Sequence, residues 1–324
     1  MAANDHRRSQ LDLFASEDVT PPHAAELLEL GERIPGHIRF GTSSWTFDGW
    51  KGRVYRESYA SRQDFTRRSL EEYAQYPLFR TVSIDSSYYR PLDAQTLTHY
   101  STMLPDDFRC IMKAWSEICC WRFPHSPRYA ERAGRENPHF LDIEVFQKAM
   151  LSPVAKAFRK HIGAFLFAIP PVTEGIPSGR FQDKLAQFLE GVPPGYQYAF
   201  ELRNPELLTP GYFELLREHG GVHCYNYWNR MPSIAEQQTF DRGLLPGPVV
   251  VRLMLPPGRT YAALKKAWAP FQNIVEPQPT MRRDVIDLCM RAAREDREIY
   301  IIANNKAEGS SPLTIEALAR GVTE

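Results

Sequence analysis

The stretch YAFELRNPE, Tyr198 to Glu206, sets a carboxylate and a guanidinium two residues apart. With the period of a strand, Glu201 and Arg203 share one face with Ala199, while Tyr198, Phe200 and Leu202 share the other. Charges on one face of a strand need a cleft to look into. Asn204-Pro205 then stops the strand, because the residue before a proline is pushed to extended or turn geometry. Asp85 in VSIDSS, Lys113 in CIMK and Arg252 in VVVRL stand in comparable settings. Alternation turns Ile84, Met112 and Val251 to the opposite side. A carboxylate and a lysine in a water-poor cleft suit proton transfer, since burial and nearby charge move either pKa. An inward guanidinium in a valine-rich strand calls for an acidic partner or an anionic ligand. A plainer reading stands beside each: Glu201 with Arg203, and Asp85 with Lys113, as ion pairs that only hold the fold.

Strands must carry these positions, and helices must space the strands. Ile38 to Thr42, Thr81 to Ser86, Phe108 to Lys113, His161 to Ile169, Tyr196 to Leu202, Val222 to Asn226, Pro248 to Leu253 and Glu298 to Ala303 read as eight strands. Helical spacing is expected over 24–33, 64–75, 94–103, 144–160, 181–190, 212–219, 281–295 and 312–320. Such alternation demands a parallel sheet, and eight parallel strands close into a (β/α)8 TIM-type barrel. An open doubly wound sheet is the alternative, but no Gly-x-Gly-x-x-Gly turn follows the first strand. Residues 1–36 read as an N-terminal arm, loose to about residue 21, and a short helix; residues 37–324 read as one barrel domain. The aperiodic stretch from Trp115 to Asp142 is a long loop after the third strand and is expected to serve as a lid.

In a barrel of this kind, functional side chains gather at the carboxyl ends of the strands. Trp45, Tyr88, Tyr89, Trp115, Asn226, Trp228, Asn304 and Asn305 all fall there. The amides suit either a polar ligand or a turn. The aromatics suit either stacking on a ligand or plain packing. No metal is expected: only Asp85 and Glu201 qualify as ligands, and Lys113, Arg203 and Arg252 would repel a cation. No Ser-His-Asp order, nucleophile elbow or P-loop is present, and no cofactor is expected.

Composition narrows the class. Lys plus Arg and Asp plus Glu are both 39 in the 324 residues, so no global charge draws the chain to nucleic acid or membrane. No apolar run approaches the roughly 20 residues needed to cross a bilayer. The start lacks the apolar core of a secretory signal. The five cysteines form no Cys-x-x-Cys pair, and an odd number argues against a disulfide framework. A cytoplasmic, reducing setting is the expectation.

The motifs GTSSWTFDGWKGRVY, TVSIDSSYYR, FRCIMKAW, FELRNPE, VVRL and ANNKAEG, in this order over about residues 38–320, resemble the YecE-like family, domain of unknown function 72. The resemblance implies a TIM-type barrel and no established activity. The chain departs from the family pattern in several places. Ser83-Ile84-Asp85 stands where the family has Glu-Ile-Asn, Arg203-Asn204-Pro205 where it has Arg-His-Pro, and Arg252-Leu253-Met254-Leu255 where it has Arg-Leu-His-Gly. An acidic residue is missing near Tyr225-Asn226, and the segment 115–143 is longer.

The expectation is therefore a metal-independent enzyme for a small anionic, polar, sugar-like molecule, phosphorylated or carboxylated. Arg203, Arg252 and Lys113 would hold the anion, and Glu201 or Asp85, with Lys113 beside them, would move protons. Isomerase, lyase and hydrolase chemistry all fit. The competing reading is a non-catalytic grip on single-stranded nucleic acid or another phosphate-bearing ligand. A third is a scaffold without activity.

Overall fold

The computed structural model describes residues 24–241 and 243–324. The arm expected over residues 1–21 lies outside them. Eight strands form one closed ring: β1 Ile38–Thr42, β2 Thr81–Ile84, β3 Arg109–Lys113, β4 Ile162–Ile169, β5 Tyr198–Leu202, β6 Val222–Trp228, β7 Val249–Leu255 and β8 Ile299–Ala303. Every neighbouring pair is parallel, and β8 returns to β1 with Phe40 opposite Ile301. Helices fill the connections, so the fold is the (β/α)8 barrel that the alternation predicts.

Strand parity sorts the core into two layers. Ile84, Met112, Phe200 and Val251 pack between sheet and helices. Ile111, Ala164, Leu166, Ala199, Val222, Cys224, Val250, Tyr300 and Ile302 fill the barrel interior. At the amino-terminal end the Tyr300 ring lies so close to Gly163 that a Cβ there would stand 3.0 Å from it. The ring hydroxyl donates to Glu298 at 3.2 Å, and Glu298 also accepts from Arg39 at 2.9 Å. That end is a polar plug, which leaves the carboxyl-terminal end for chemistry.

Gly41 is required by the ring itself. A Cβ on it would lie 1.9 Å from the Thr81 carbonyl oxygen on β2, and backbone cannot step aside. We expect Gly41→Ala to cost about 3 kcal/mol or more, read as a lower urea midpoint with unchanged slope.

Three departures from the expected elements have local causes. β2 ends at Ile84 and gives way to a 3-10 turn, Asp85–Tyr88. There the Ser87 hydroxyl lies 2.6 Å from the carbonyl oxygens of both Ile84 and Lys113. The helix expected over 144–160 is interrupted by a π turn, Gln147–Leu151, before Ser152–Ala157. Pro153 lacks the N–H that would continue the regular ladder. Short helices at Ile234–Thr239 and Tyr261–Trp268 were not expected from periodicity. The first carries a reciprocal cap between Ser233 and Glu236, a signature plain in the sequence Ser-Ile-Ala-Glu.

The helix Ala24–Arg33 is tied to the barrel by Arg80, which donates to the carbonyls of Gly31 at 2.9 Å and Pro35 at 3.2 Å. Among the described residues no helix is long and apolar enough to cross a membrane.

Candidate active site

Parity puts Asp85, Lys113, Glu201, Arg203 and Arg252 on the inner side, and closure of the ring brings them together. Arg252 is fully buried at the centre. It donates through Nη1 to Glu201 Oε2 at 2.5 Å and through Nη2 to Asp85 Oδ2 at 2.7 Å. Arg203 donates through Nε to the other oxygen of Glu201 at 2.7 Å, and its guanidinium lies 4.0 Å from the centroid of the Trp228 ring. Trp228 is available because β6 runs two residues beyond its expected end at Asn226. Asp85 also accepts from the Ser83 hydroxyl at 2.6 Å. Ser83 and Asp85 share the inner face, which is why moving the acidic group two residues along this strand keeps it inside.

The expected pairing of Asp85 with Lys113 does not form. Asp85 is taken by Arg252 from across the ring, and Lys113 has no carboxylate within ion-pair distance among the described residues. Its ammonium instead sits 4.2 Å from the centroid of the Tyr88 ring. Lys113 is 9% exposed and therefore nearly enclosed. Burial pulls its pKa down from 10.5 to about 8, with Asp85 and Glu201 pulling upward and Arg252 and Arg203 downward.

Glu201 behaves in the opposite way. Burial alone would raise its pKa, but Arg203, Arg252 and Lys113 outweigh it and hold the carboxyl well below the usual range. A carboxylate held so firmly, with both oxygens bonded to guanidinium groups, is a poor proton carrier. Arg252 is driven further up by Asp85 and Glu201 despite burial, and stays a fixed charge.

The remaining expected residues divide. Tyr88 caps Lys113, and its hydroxyl lies 3.7 Å from Cys120 Sγ. Tyr89 is 59% exposed beside it at the rim. Asn226 donates to the Leu202 carbonyl at 2.7 Å; among the described residues neither its Oδ1 nor Arg252 Nε on the adjoining strand has a partner. Asn304 donates to Ser43 Oγ at 3.3 Å. Two residues are drawn into packing instead of the mouth. Trp45 is buried and meets Tyr100 of the helix Ala94–Met103 edge-on at 5.0 Å. Asn305 accepts through Oδ1 from Trp50 Nε1 and from the backbone and hydroxyl of Ser311. Trp115 is half-buried against the helix–sheet core.

The long loop is folded rather than loose. Asn137 donates to the carbonyls of Glu117 at 2.7 Å and Cys120 at 2.8 Å, and Cys120, Phe123 and Tyr129 form a small core of their own. Arg128 crosses to the rim, its guanidinium 5.0 Å from the Tyr89 ring centroid and bonded to the Tyr89 carbonyl. Asn204 ties β5 to the loop after β4. It donates to the Pro170 carbonyl and accepts from the Val172 amide, both at 2.9 Å. Met254 accepts from Ser43 Oγ at 3.8 Å. Among the described residues no three His, Cys, Asp or Glu side chains gather as metal ligands.

Sequence reading passed over Arg128, Tyr261 and Lys306. Only Lys306 carried a usable signal, standing directly after the flagged Asn304-Asn305.

A closed ring of eight parallel strands with helices in the connections defines the TIM-barrel class. The chain belongs to the DUF72 family, described as proteins of unknown function, whose model matches residues 39–324. A DUF72 family protein from Enterococcus faecalis V583 has a similar structure, with 18% identity and a TM-score of 0.61 over 89% of this chain and 96% of that one. Another from Thermotoga maritima MSB8 has 19% identity and a TM-score of 0.59 over 89% of this chain and 99% of that one. No curated protein matches the chain.

Proposed function

We propose that the protein is a metal-independent enzyme for a small, polar, anionic molecule, with Lys113 as the residue that holds the anion and exchanges a proton. The carrying observation is a charge imbalance. Among the described residues Lys113, Arg203 and Arg252 face only the carboxylates Glu201 and Asp85, and both are bonded to the arginines. With Lys113 protonated, one positive charge is left uncompensated in a nearly enclosed place, where an anion is the natural complement. Glu201 and Arg252 then serve as a frame of fixed charge beside Lys113, with Asp85 bonded to Arg252.

Enclosure favours a small molecule over a polynucleotide. A phosphate backbone is gripped along an open groove, whereas Arg252 and Glu201 are fully buried and the exposed aromatics Tyr89 and Tyr261 lie at the rim. Hydrolase, lyase and isomerase chemistry all remain compatible with one lysine of near-neutral pKa.

The test is calorimetry of inorganic phosphate and short carboxylates against pH. Besides Asp85, Glu201 and the two arginines, Lys113 is faced by Tyr88, Cys119 and Cys120, whose hydroxyl and thiols burial keeps neutral. Affinity should be full below about pH 8 and fall as Lys113 loses its proton above it. Absence of binding by any of these anions, or binding indifferent to pH between 6.5 and 10 (roughly the span set by an ordinary and a lowered lysine), would sink the proposal.

A further inference from the structure

Lys306 lies on the 3-10 turn Asn305–Ala307 directly after β8 and is only 7% exposed. Its ammonium is 4.0 Å from the centroid of the Tyr261 ring, 5.2 Å from that of Phe271 and 3.5 Å from Asn304 Oδ1. No carboxylate among the described residues pairs with it. The nearby acids are committed elsewhere. Glu308 accepts from Arg282 at 2.8 and 3.0 Å and from the Gln278 amide at 2.6 Å, and Glu276 accepts from Arg259 at 2.6 Å. Burial, with repulsion from Lys265, brings the Lys306 pKa down to about 8. Aromatic faces repay only part of the cost of enclosing an ammonium.

Lys306 belongs to the same end of the barrel as Lys113. Asn304, which it touches, continues the inner face of β8 after Tyr300 and Ile302 and donates to Ser43 Oγ at the end of β1. Ser43 in turn meets Met254, on the inner face of β7 beyond Arg252. Trp228, which carries the Arg203 guanidinium, packs against the cluster that contains Phe271. Lys113 and Lys306 therefore flank one mouth from β3 and from the end of β8. Those strands are three places apart round the ring, which at strand spacing puts the two positions on the order of 10 Å apart. One small anion cannot touch both. The carboxyl ends of the seventh and eighth strands are also where barrels of this class commonly hold phosphate.

We infer that the ligand carries two separated anionic groups, one held at Lys113 and the other at Lys306, with its body passing under Tyr89 and Tyr261. The inference rests on the anion reading of Lys113 and narrows its substrate class to two-ended anions such as bisphosphorylated or phosphorylated and carboxylated compounds.

Calorimetry with methylphosphonate and a series of straight-chain bisphosphonates tests it on the intact protein. At least one bisphosphonate should bind about tenfold or more tighter than methylphosphonate, a margin of about 1.4 kcal/mol. In Lys306→Met, and in Lys306→Gln as a second variant checked for native circular dichroism, that ratio should fall to about one, as a lost second anchor requires. If methylphosphonate binds but no bisphosphonate exceeds it, or if both variants keep the margin, the second anchor is wrong and the role of Lys113 stands. If neither probe binds the wild-type protein, the reading of Lys113 fails and takes this one with it.

Discussion

Glu201→Gln is expected to lose about 3–5 kcal/mol of folding stability, the usual consequence of removing one partner from a buried ion pair. The substitution keeps shape and volume but leaves Arg252, fully buried, with Asp85 as its one carboxylate. The new amide nitrogen would also point at one of the two guanidinium groups that now bond the Glu201 oxygens at 2.7 and 2.5 Å. The pH dependence has a definite sign. Glu201 has a folded pKa well below its ordinary 4.5, so its contribution is complete above that value and drains away as pH falls toward the folded pKa. The variant should therefore be weaker than wild type at neutral pH and converge on it in acid. Urea titrations at several pH values measure this. Wild-type stability in Glu201→Gln would mean that the central network is not a structural frame.

Lys113→Met is expected to move stability the other way, raising it by about 3 kcal/mol near pH 7. The source is the lowering of the Lys113 pKa from 10.5 to about 8, which measures how poorly the folded protein tolerates the proton. Because the folded pKa lies below the unfolded one, the penalty is whole below about pH 8. It shrinks between 8 and 10.5 and is gone above, so the two proteins should converge in alkali. The same variant should lose binding of small anions. Gain of stability with loss of binding is the pattern of a residue retained for function against the interest of the fold. If Lys113→Met instead unfolds the protein as Glu201→Gln should, Lys113 is one more strut and the proposed activity loses its carrier.

The contrast between these residues separates two kinds of buried charge that look alike in a string of letters. Glu201 and Lys113 both stand at inward positions near strand ends. One is saturated by two arginines and fixed in charge; the other has an aromatic face and, among the described residues, no counter-ion. A carboxylate so placed orients its neighbours, while a lysine so placed can exchange a proton.

Much of this was determined by local order along the chain. Side chains alternate across a strand whatever lies beside it, so the shared face of Lys113, Glu201 and Arg252 follows from period two, while Asp85 and Arg203 keep that side just past the ends of their strands. The strand count and the parallel ring follow from the alternation of short apolar runs with helical spacing. Partner choice was not legible, because it depends on distances across the closed ring. Arg252 finds Asp85, 167 residues away in sequence, and so leaves Lys113 alone. Closure likewise turned Trp45 and Asn305 into packing and brought Lys306 to the mouth. Periodicity is a property of one segment, whereas the pairing of charges is decided by which segments the fold sets side by side.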